Sequence, residues 1–384
     1  MTRGSRFAIG LVLWGWVAAW GQASDPAPRA PGFALRQIDL GSDVGRQIVV
    51  DREPGQYLGH PTTLLLEDGK TILCAYPQGH GRGPIRLRRS RDGGQTWSAN
   101  LPVPENWATS KETPTLHRVV DASGRRRIVL FSGLYPVRTA ISEDDGETWT
   151  ELMPAGEWGG IVTMASLDAV RGRPGEYLAL FHDDGRFFLS IPQVTRPVTF
   201  TLFQTRSMDG GLTWGFPEPI LARSDLHLCE PGLVRSPDGR EITVLLRENS
   251  RRRNSWWIRS RDEGRSWSEP QELPGSLTGD RHVARYTRDG RLFISFRDMG
   301  RDSATRGDWV AWVGNYGDIG KGLEGQYRIR LMDNRHEFDC AYPGVEVLPD
   351  GTVVTLTYGH WREGEPPYLV CLRLDMAAMD RLAR

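Results

Sequence analysis

Lysine is nearly missing from this 384-residue chain: of its 48 basic residues only Lys70, Lys111 and Lys321 are Lys, and the rest are Arg. Acidic residues also number 48. There is thus no basic excess of the kind that holds nucleic acid. With Arg so common by composition, an isolated Arg carries little weight, and runs such as Arg251-Arg252-Arg253 read as solvated turns. Cysteine is scarce. Cys74, Cys229, Cys340 and Cys371 form no C-x-x-C pair, which argues against a structural zinc site. A bridge between Cys229 and Cys340 is allowed but unsupported by spacing. No G-x-x-x-x-G-K-[ST] loop for nucleotide phosphates occurs. Helical periodicity is almost absent, and only the closing DMAAMDRLAR suggests one short turn. Beyond the amino terminus no apolar run is long enough to span a bilayer.

The amino terminus itself is the exception. Arg3 and Arg6 precede an apolar run from Phe7 to Trp20, and Gly21-Gln22-Ala23 offers small residues for cleavage. Residues 1–23 read as a secretory signal peptide. That places the mature chain in the periplasm or the medium, with no membrane attachment after cleavage. Residues 24–40, opening on SDPAPRAPG, read as a leader, and 41–384 as the folded body.

Glycine and proline are plentiful, at 44 and 25 residues, and they fall in a pattern. SRDGGQTW (90–97), SEDDGETW (142–149), SMDGGLTW (207–214) and SRDEGRSW (260–267) are four copies of one motif. A second series of Gly turns lies at Asp68-Gly69, Ser123-Gly124, Pro174-Gly175, Asp238-Gly239, Asp289-Gly290 and Asp350-Gly351. Each is flanked by β-branched, apolar segments, the signature of a hairpin. Six units of strand, turn, strand, loop, strand, motif and strand predict an all-β fold, a six-bladed β-propeller of four-stranded antiparallel blades. Within the motif, Asp and Ser/Thr side chains fix a tight turn, Gly supplies positive φ, and Trp packs into the blade. The repeat is framework rather than chemistry.

Residues that enter each first strand, or leave each second, gather at one mouth of a propeller. Here they include His60 and QGHGRG (78–83), Glu112, His182 and Asp183, Glu230 and Arg247, Arg281 and His282, and Asp339 and Tyr342.

The repeated S-x-D-x-G-x-[TS]-W is similar to the Asp-box of the sialidase superfamily, and the chain resembles that group over most of residues 45–375. The resemblance implies an exo-glycoside hydrolase that removes a terminal sialic acid or related acidic sugar, without cofactor or metal. Its partners would be sialylated or other acidic glycans. In that family Arg forks grip the sugar carboxylate, and a Tyr activated by a Glu replaces the carboxylate nucleophile. CEPGLVRSPDGREITVLLRE (229–248) resembles the segment with the Glu partner and one Arg, which implies those roles for Glu230 and Arg247. DCAYPGVEVLPDGTVV (339–354) resembles the nucleophile segment, which implies Tyr342. RDSATRGDWVAWVG (301–314) resembles the region of a further Arg, which implies Arg306.

Two departures stand out. Gly59-His60-Pro61 occupies the place of the family's Arg-Ile-Pro, so His60 stands where a first Arg is expected. The loop after the second strand of blade one has no Asp to act as acid. His80 is the best substitute, because an imidazole's ordinary pKa of about 6.5 suits proton transfer near neutrality. Asp183 is the runner-up. Arg297 or Arg82 could replace the missing cation, and Asp298 and His282 join the expected binding set. Two other readings stay open: a hydrolase for a different acidic sugar, and a propeller that binds glycans without cleaving them.

Overall fold

A computed structural model of the protein describes residues 33–191 and 198–384. The signal peptide read over 1–23 and the first part of the leader lie outside the described residues. Six antiparallel sheets follow one another along the chain and form the six blades of a β-propeller. Blades two, three and four each run as a four-stranded meander, as in Leu228–Arg235, Ile242–Glu248, Trp256–Ser260 and Gln271–Glu272 of blade four. Blade one shows three strands, Thr62–Leu65, Ile72–Pro77 and Ile85–Ser90.

Second strands such as Tyr177–Asp183, Leu292–Asp298 and Val353–Gly359 are buried at every position. Neighbouring blades cover both of their faces, so their sequences read as continuous apolar runs rather than alternating ones. Apolar clusters accordingly lie between blades. One joins Ile72, Cys74 and Tyr76 of blade one to Val354, Leu356 and Leu369 of blade six.

Ring closure comes from the amino-terminal side. Ile48–Asp51 pairs antiparallel with Tyr368–Leu374 and becomes the fourth strand of blade six. Gln37–Asp39 pairs parallel with Tyr327–Met332 and gives blade five a fifth strand. The expected leader over 24–40 therefore needs correction: from Phe33 onward it packs on the propeller, with Ile38 and Leu40 buried. Two α-helices occur among the described residues, Tyr316–Lys321 and Met376–Ala383, the second where a short helical turn is expected. No helix among the described residues is long and apolar enough to cross a membrane. All four cysteines are free and buried, so Cys229 and Cys340 form no bridge.

The four Asp-box motifs close the turns after the third strands. In each, the Ser Oγ donates to the Asp at 2.8–2.9 Å, and the Asp accepts from the Thr or Ser hydroxyl four residues later at 2.5–2.6 Å. Partial burial opposes the charge of Asp92, Asp144, Asp209 and Asp262. The hydroxyl and backbone N–H bonds outweigh it and hold them below the usual carboxylate range. Third strands of an antiparallel blade end away from where first strands begin, so these turns lie at the opposite end from the mouth.

The mouth has its own backbone device. Positive φ occurs at His60 (54°), Glu230 (51°), Arg281 (54°) and Ala341 (57°), each just before or within a first strand. The ladder register shifts between Cys229 and Gly232 and between Asp280 and Val283. Such bulges re-aim side chains out of the ladder. Sparsely populated backbone of this kind clusters at functional sites.

Candidate active site

Tyr342, Glu230 and Arg247 meet at this mouth. The Tyr342 hydroxyl donates to Glu230 Oε1. Arg247 Nη1 donates to the same oxygen at 2.6 Å and to Tyr342 Oη at 3.3 Å. The second Glu230 oxygen is buried and has no partner among the described residues. Burial opposes the Glu230 charge, but Arg247 outweighs it and holds the carboxyl below its ordinary value. Burial and the facing Glu230 charge push the Tyr342 phenol well up. The pair therefore rests as neutral phenol and carboxylate, joined by one hydrogen bond. His182 holds the Glu230 backbone, its Nδ1 accepting from Glu230 N–H at 3.3 Å. Burial lowers that imidazole to about 4, so it acts as a neutral acceptor.

Behind the pair lies an ionic hub. Asp280 is fully buried. Arg297 reaches its Oδ2 through Nε at 2.8 Å and Nη2 at 2.5 Å, and Arg251 Nη2 reaches it at 2.8 Å. Arg247 Nε lies 3.3 Å from Oδ1. Burial opposes the Asp280 charge, and Arg247, Arg297 and Arg251 together overcome it and keep the carboxyl ionised. Arg251 is thus no solvated turn residue, contrary to the reading of its run. Arg297 also donates to the carbonyls of Phe338 and Cys340, and its guanidinium lies 5.8 Å from the centre of the Tyr342 ring. Arg281 is buried and donates to the Ala165 carbonyl at 3.1 Å. Burial lowers its pKa, and it feels the charges of Glu230 and Tyr342.

A second polar network runs along blades six and one. Gly81 N–H donates to His60 Nδ1 at 3.1 Å, and His60 Nε2 meets the Tyr358 hydroxyl at 3.1 Å. Tyr358 and Tyr57 both donate to Asp339, at 3.0 and 2.9 Å. His80 Nδ1 lies 2.7 Å from the Tyr57 hydroxyl. His60 therefore spends both nitrogens inside the protein, and burial lowers its pKa well below the ordinary imidazole range. It packs on Tyr342 with ring centres 4.5 Å apart. It supplies no cation in place of the expected first Arg.

Other expected residues form no hydrogen bond with the Tyr342–Glu230–Arg247 cluster among the described residues. Asp298 is fully buried and bound by Thr305 Oγ1 at 2.7 Å and Arg328 at 2.8 Å. His282 is buried, with Nε2 on the Leu277 carbonyl and its ring against Phe296. Both are framework, not ligand contacts. Asp183 accepts from Gly185 N–H at 2.6 Å and Phe187 N–H at 3.1 Å and so ties a turn. Arg306 is exposed and lies over the Phe338 ring, with no ion pair to the Tyr342 cluster. Arg82 sits at the rim of a cavity of about 300 Å³ shared with His80, Glu112 and Arg186. Sequence reasoning misses Asp280 and Arg251 because their pairing joins separate blades. A signal for Asp280 exists only in its place before Arg281 at the start of a first strand. No cluster of three or more His, Cys, Asp or Glu suited to a metal occurs among the described residues.

Fold and repeated turns together define an Asp-box propeller. The family profile of the BNR repeat-like domain matches residues 131–354, more than half of the chain, and the protein belongs to that family. The BNR/Asp-box repeat itself matches residues 88–99. No curated protein matches the sequence. Among solved structures, a protein of unknown function from Dyadobacter fermentans is similar with TM-score 0.66 and 15% identity, covering 85% of this chain and 97% of that one. An α-L-arabinofuranosidase from Fusarium graminearum matches with TM-score 0.62 and 10% identity, covering 86% and 98%. The intramolecular trans-sialidase from Ruminococcus gnavus matches with TM-score 0.59 and 15% identity, covering 85% and 96%. At these identities the likeness is one of fold.

Proposed function

We propose that the chain is a retaining exo-glycoside hydrolase, acting after export on glycans that end in sialic acid or a related acidic sugar. The observation that carries this reading is the buried Tyr342–Glu230 pair with Arg247 bonded to both. A carboxylate nucleophile is repelled by an acidic sugar, whereas a neutral phenol is not. Glu230 takes the phenolic proton as Tyr342 Oη bonds to the anomeric carbon, so no free phenolate need form where burial disfavours it. Arg247, Arg251, Arg281 and Arg297 outnumber Asp280 and Glu230, so the floor of the site is cationic. That suits an anionic group on the substrate.

A second reading has its own observation. Blade one offers neutral His60 instead of a cation, and three of the four arginines already share Asp280. A hydrolase for a different acidic sugar, such as a uronic acid, places less demand on a three-arginine grip. The test is turnover of a fluorogenic aryl α-sialoside, beside a panel of other acidic-sugar glycosides, by the wild type and Tyr342→Phe. The account expects turnover that Tyr342→Phe lowers by about a thousandfold or more. Binding without turnover on every member of the panel contradicts it and leaves a glycan-binding propeller.

A further inference from the structure

Cleavage of a sugar–oxygen bond needs a proton for the departing oxygen, and two side chains with that chemistry, His80 and Glu112, line one cavity at the mouth, where His80 packs on His60 and His60 on Tyr342. Hydrogen bonding separates them. The Tyr57 hydroxyl gives its proton to Asp339 at 2.9 Å, so its oxygen is an acceptor toward His80 Nδ1 at 2.7 Å. Nδ1 therefore carries the hydrogen, which His80 directs at the Tyr57 oxygen and toward the Asp339 carboxylate 3.5 Å away, so this edge of the ring is spent within the protein framework.

Glu112 is differently placed. It precedes the first strand of blade two in Glu112-Thr113-Pro114, one residue further back than Glu230 stands in Cys229-Glu230-Pro231. Its Oε1 lies 3.7 Å from the point that a Cβ on Gly81 would take, so the carboxyl faces the blade-one loop. A Cβ on Gly133 would lie 3.0 Å from Glu112 Cγ and 2.4 Å from Thr163 Oγ1, so glycine at 133 preserves the place of Glu112. Ile161, on the same cavity wall, packs in the cluster that contains Tyr342.

We propose that Glu112 is the group that protonates the leaving oxygen. The proposal rests on the hydrolase reading and names the acid which that reading leaves open. In the first step the Glu112 proton passes to the glycosidic oxygen as its bond to the anomeric carbon breaks and the electron pair leaves with it. Tyr342 Oη bonds to that carbon and its proton goes to Glu230. In the second step the Glu112 carboxylate takes a proton from water, the water oxygen bonds to the anomeric carbon, and Tyr342 departs and recovers its proton from Glu230.

The charges agree with this division. Burial pushes the Glu112 carboxyl up to about 7; Thr113 and His80 oppose the rise and the Glu230 charge adds to it. Glu230 is held ionised. Two carboxyls whose surroundings push them apart are an acid and a base. The groups facing Glu112 are His80 and Arg82 from blade one, its neighbour Lys111, Arg186 from blade three and Glu230 from blade four.

The experiment compares wild type, Glu112→Gln and His80→Gln on sialyllactose and on aryl α-sialosides whose phenols differ in acidity. Glu112→Gln is expected to lose about 10²- to 10⁴-fold on sialyllactose, to keep most of the wild-type rate on the most acidic phenol, and to lose the fall in rate above about pH 7. Retained activity on that phenol also shows that the variant is folded. His80→Gln is expected to keep the basic limb. Turnover that depends on Tyr342 but shows the same leaving-group dependence in Glu112→Gln as in wild type overturns the proposal alone. Absence of wild-type turnover on these sialosides and on the wider panel of acidic-sugar glycosides overturns the hydrolase reading and the proposal with it.

Discussion

A buried phenol attacks carbon only if its proton has somewhere to go, and Glu230 is placed to receive it. Glu230→Gln should keep the hydrogen-bonded geometry yet remove the acceptor, lowering kcat by about 10²-fold or more; a rate unchanged from wild type would contradict the pairing. Asp280 works by another route. Three guanidiniums share its buried carboxylate, and removing one partner of such a cluster leaves uncompensated charge. Asp280→Asn should cost about 3–5 kcal/mol of unfolding free energy, read from a denaturant midpoint. Glu230, Arg247 and Tyr342 are legible in the sequence because each stands in a contiguous segment beside a first or second strand. The hub is not legible, because Arg251 and Asp280 meet across blades and no local spacing marks them. His60 and Asp298 mislead for a related reason: sequence places them at the mouth, but hydrogen bonds turn their polar atoms into the framework.

At the scale of elements, the repeated turns and the closing strand share the load. Each Asp-box aspartate ties a hydroxyl and backbone N–H groups at the end of a third strand, away from the site. Asp209→Ala should therefore lower stability by about 1.5–3 kcal/mol while leaving kcat/KM on any turned-over glycoside within about twofold. A large loss of kcat/KM in a folded variant would tie the motif to chemistry instead. The repeat makes blade number legible, since hairpin turns recur at a period no helix or single sheet produces. The closing strand is not legible: Ile48–Asp51 is short, and its partner Tyr368–Leu374 lies at the far end of the chain. A parallel strand at 37–39 is equally hidden within a stretch whose composition reads as a leader.

Taken as a whole, the molecule keeps several imidazoles buried and neutral around its axis. Burial holds His117, His182 and His282 near 4. Their folded values lie below the unfolded one, so the unfolded chain binds more protons as pH falls from about 6.5 toward 4, and stability drops through that window. The loss is on the order of 3 kcal/mol per site by pH 4. Glu112 acts in the opposite sense, since its raised value favours the folded state as pH falls from about 7. His60 is lowered in the same way, and Asp308, raised to about 6, acts with Glu112, as do Asp168, Asp183 and Glu346, whose carboxyls burial also raises. The four histidines predict a fall in the unfolding free energy between pH 6.5 and 4.5 that the raised carboxyls offset in part. A flat profile in that range would contradict the buried neutral imidazoles.

The most direct test of the account is covalent trapping. A fluorinated acidic-sugar glycosyl fluoride, which forms the glycosyl-enzyme readily and releases it slowly, is incubated with the full protein, and the labelled peptide is mapped by mass spectrometry. The account predicts one sugar per chain, attached at Tyr342 and absent from Tyr342→Phe. Attachment at Glu230 or Glu112, or turnover of the parent glycoside with no trapped adduct, would contradict it.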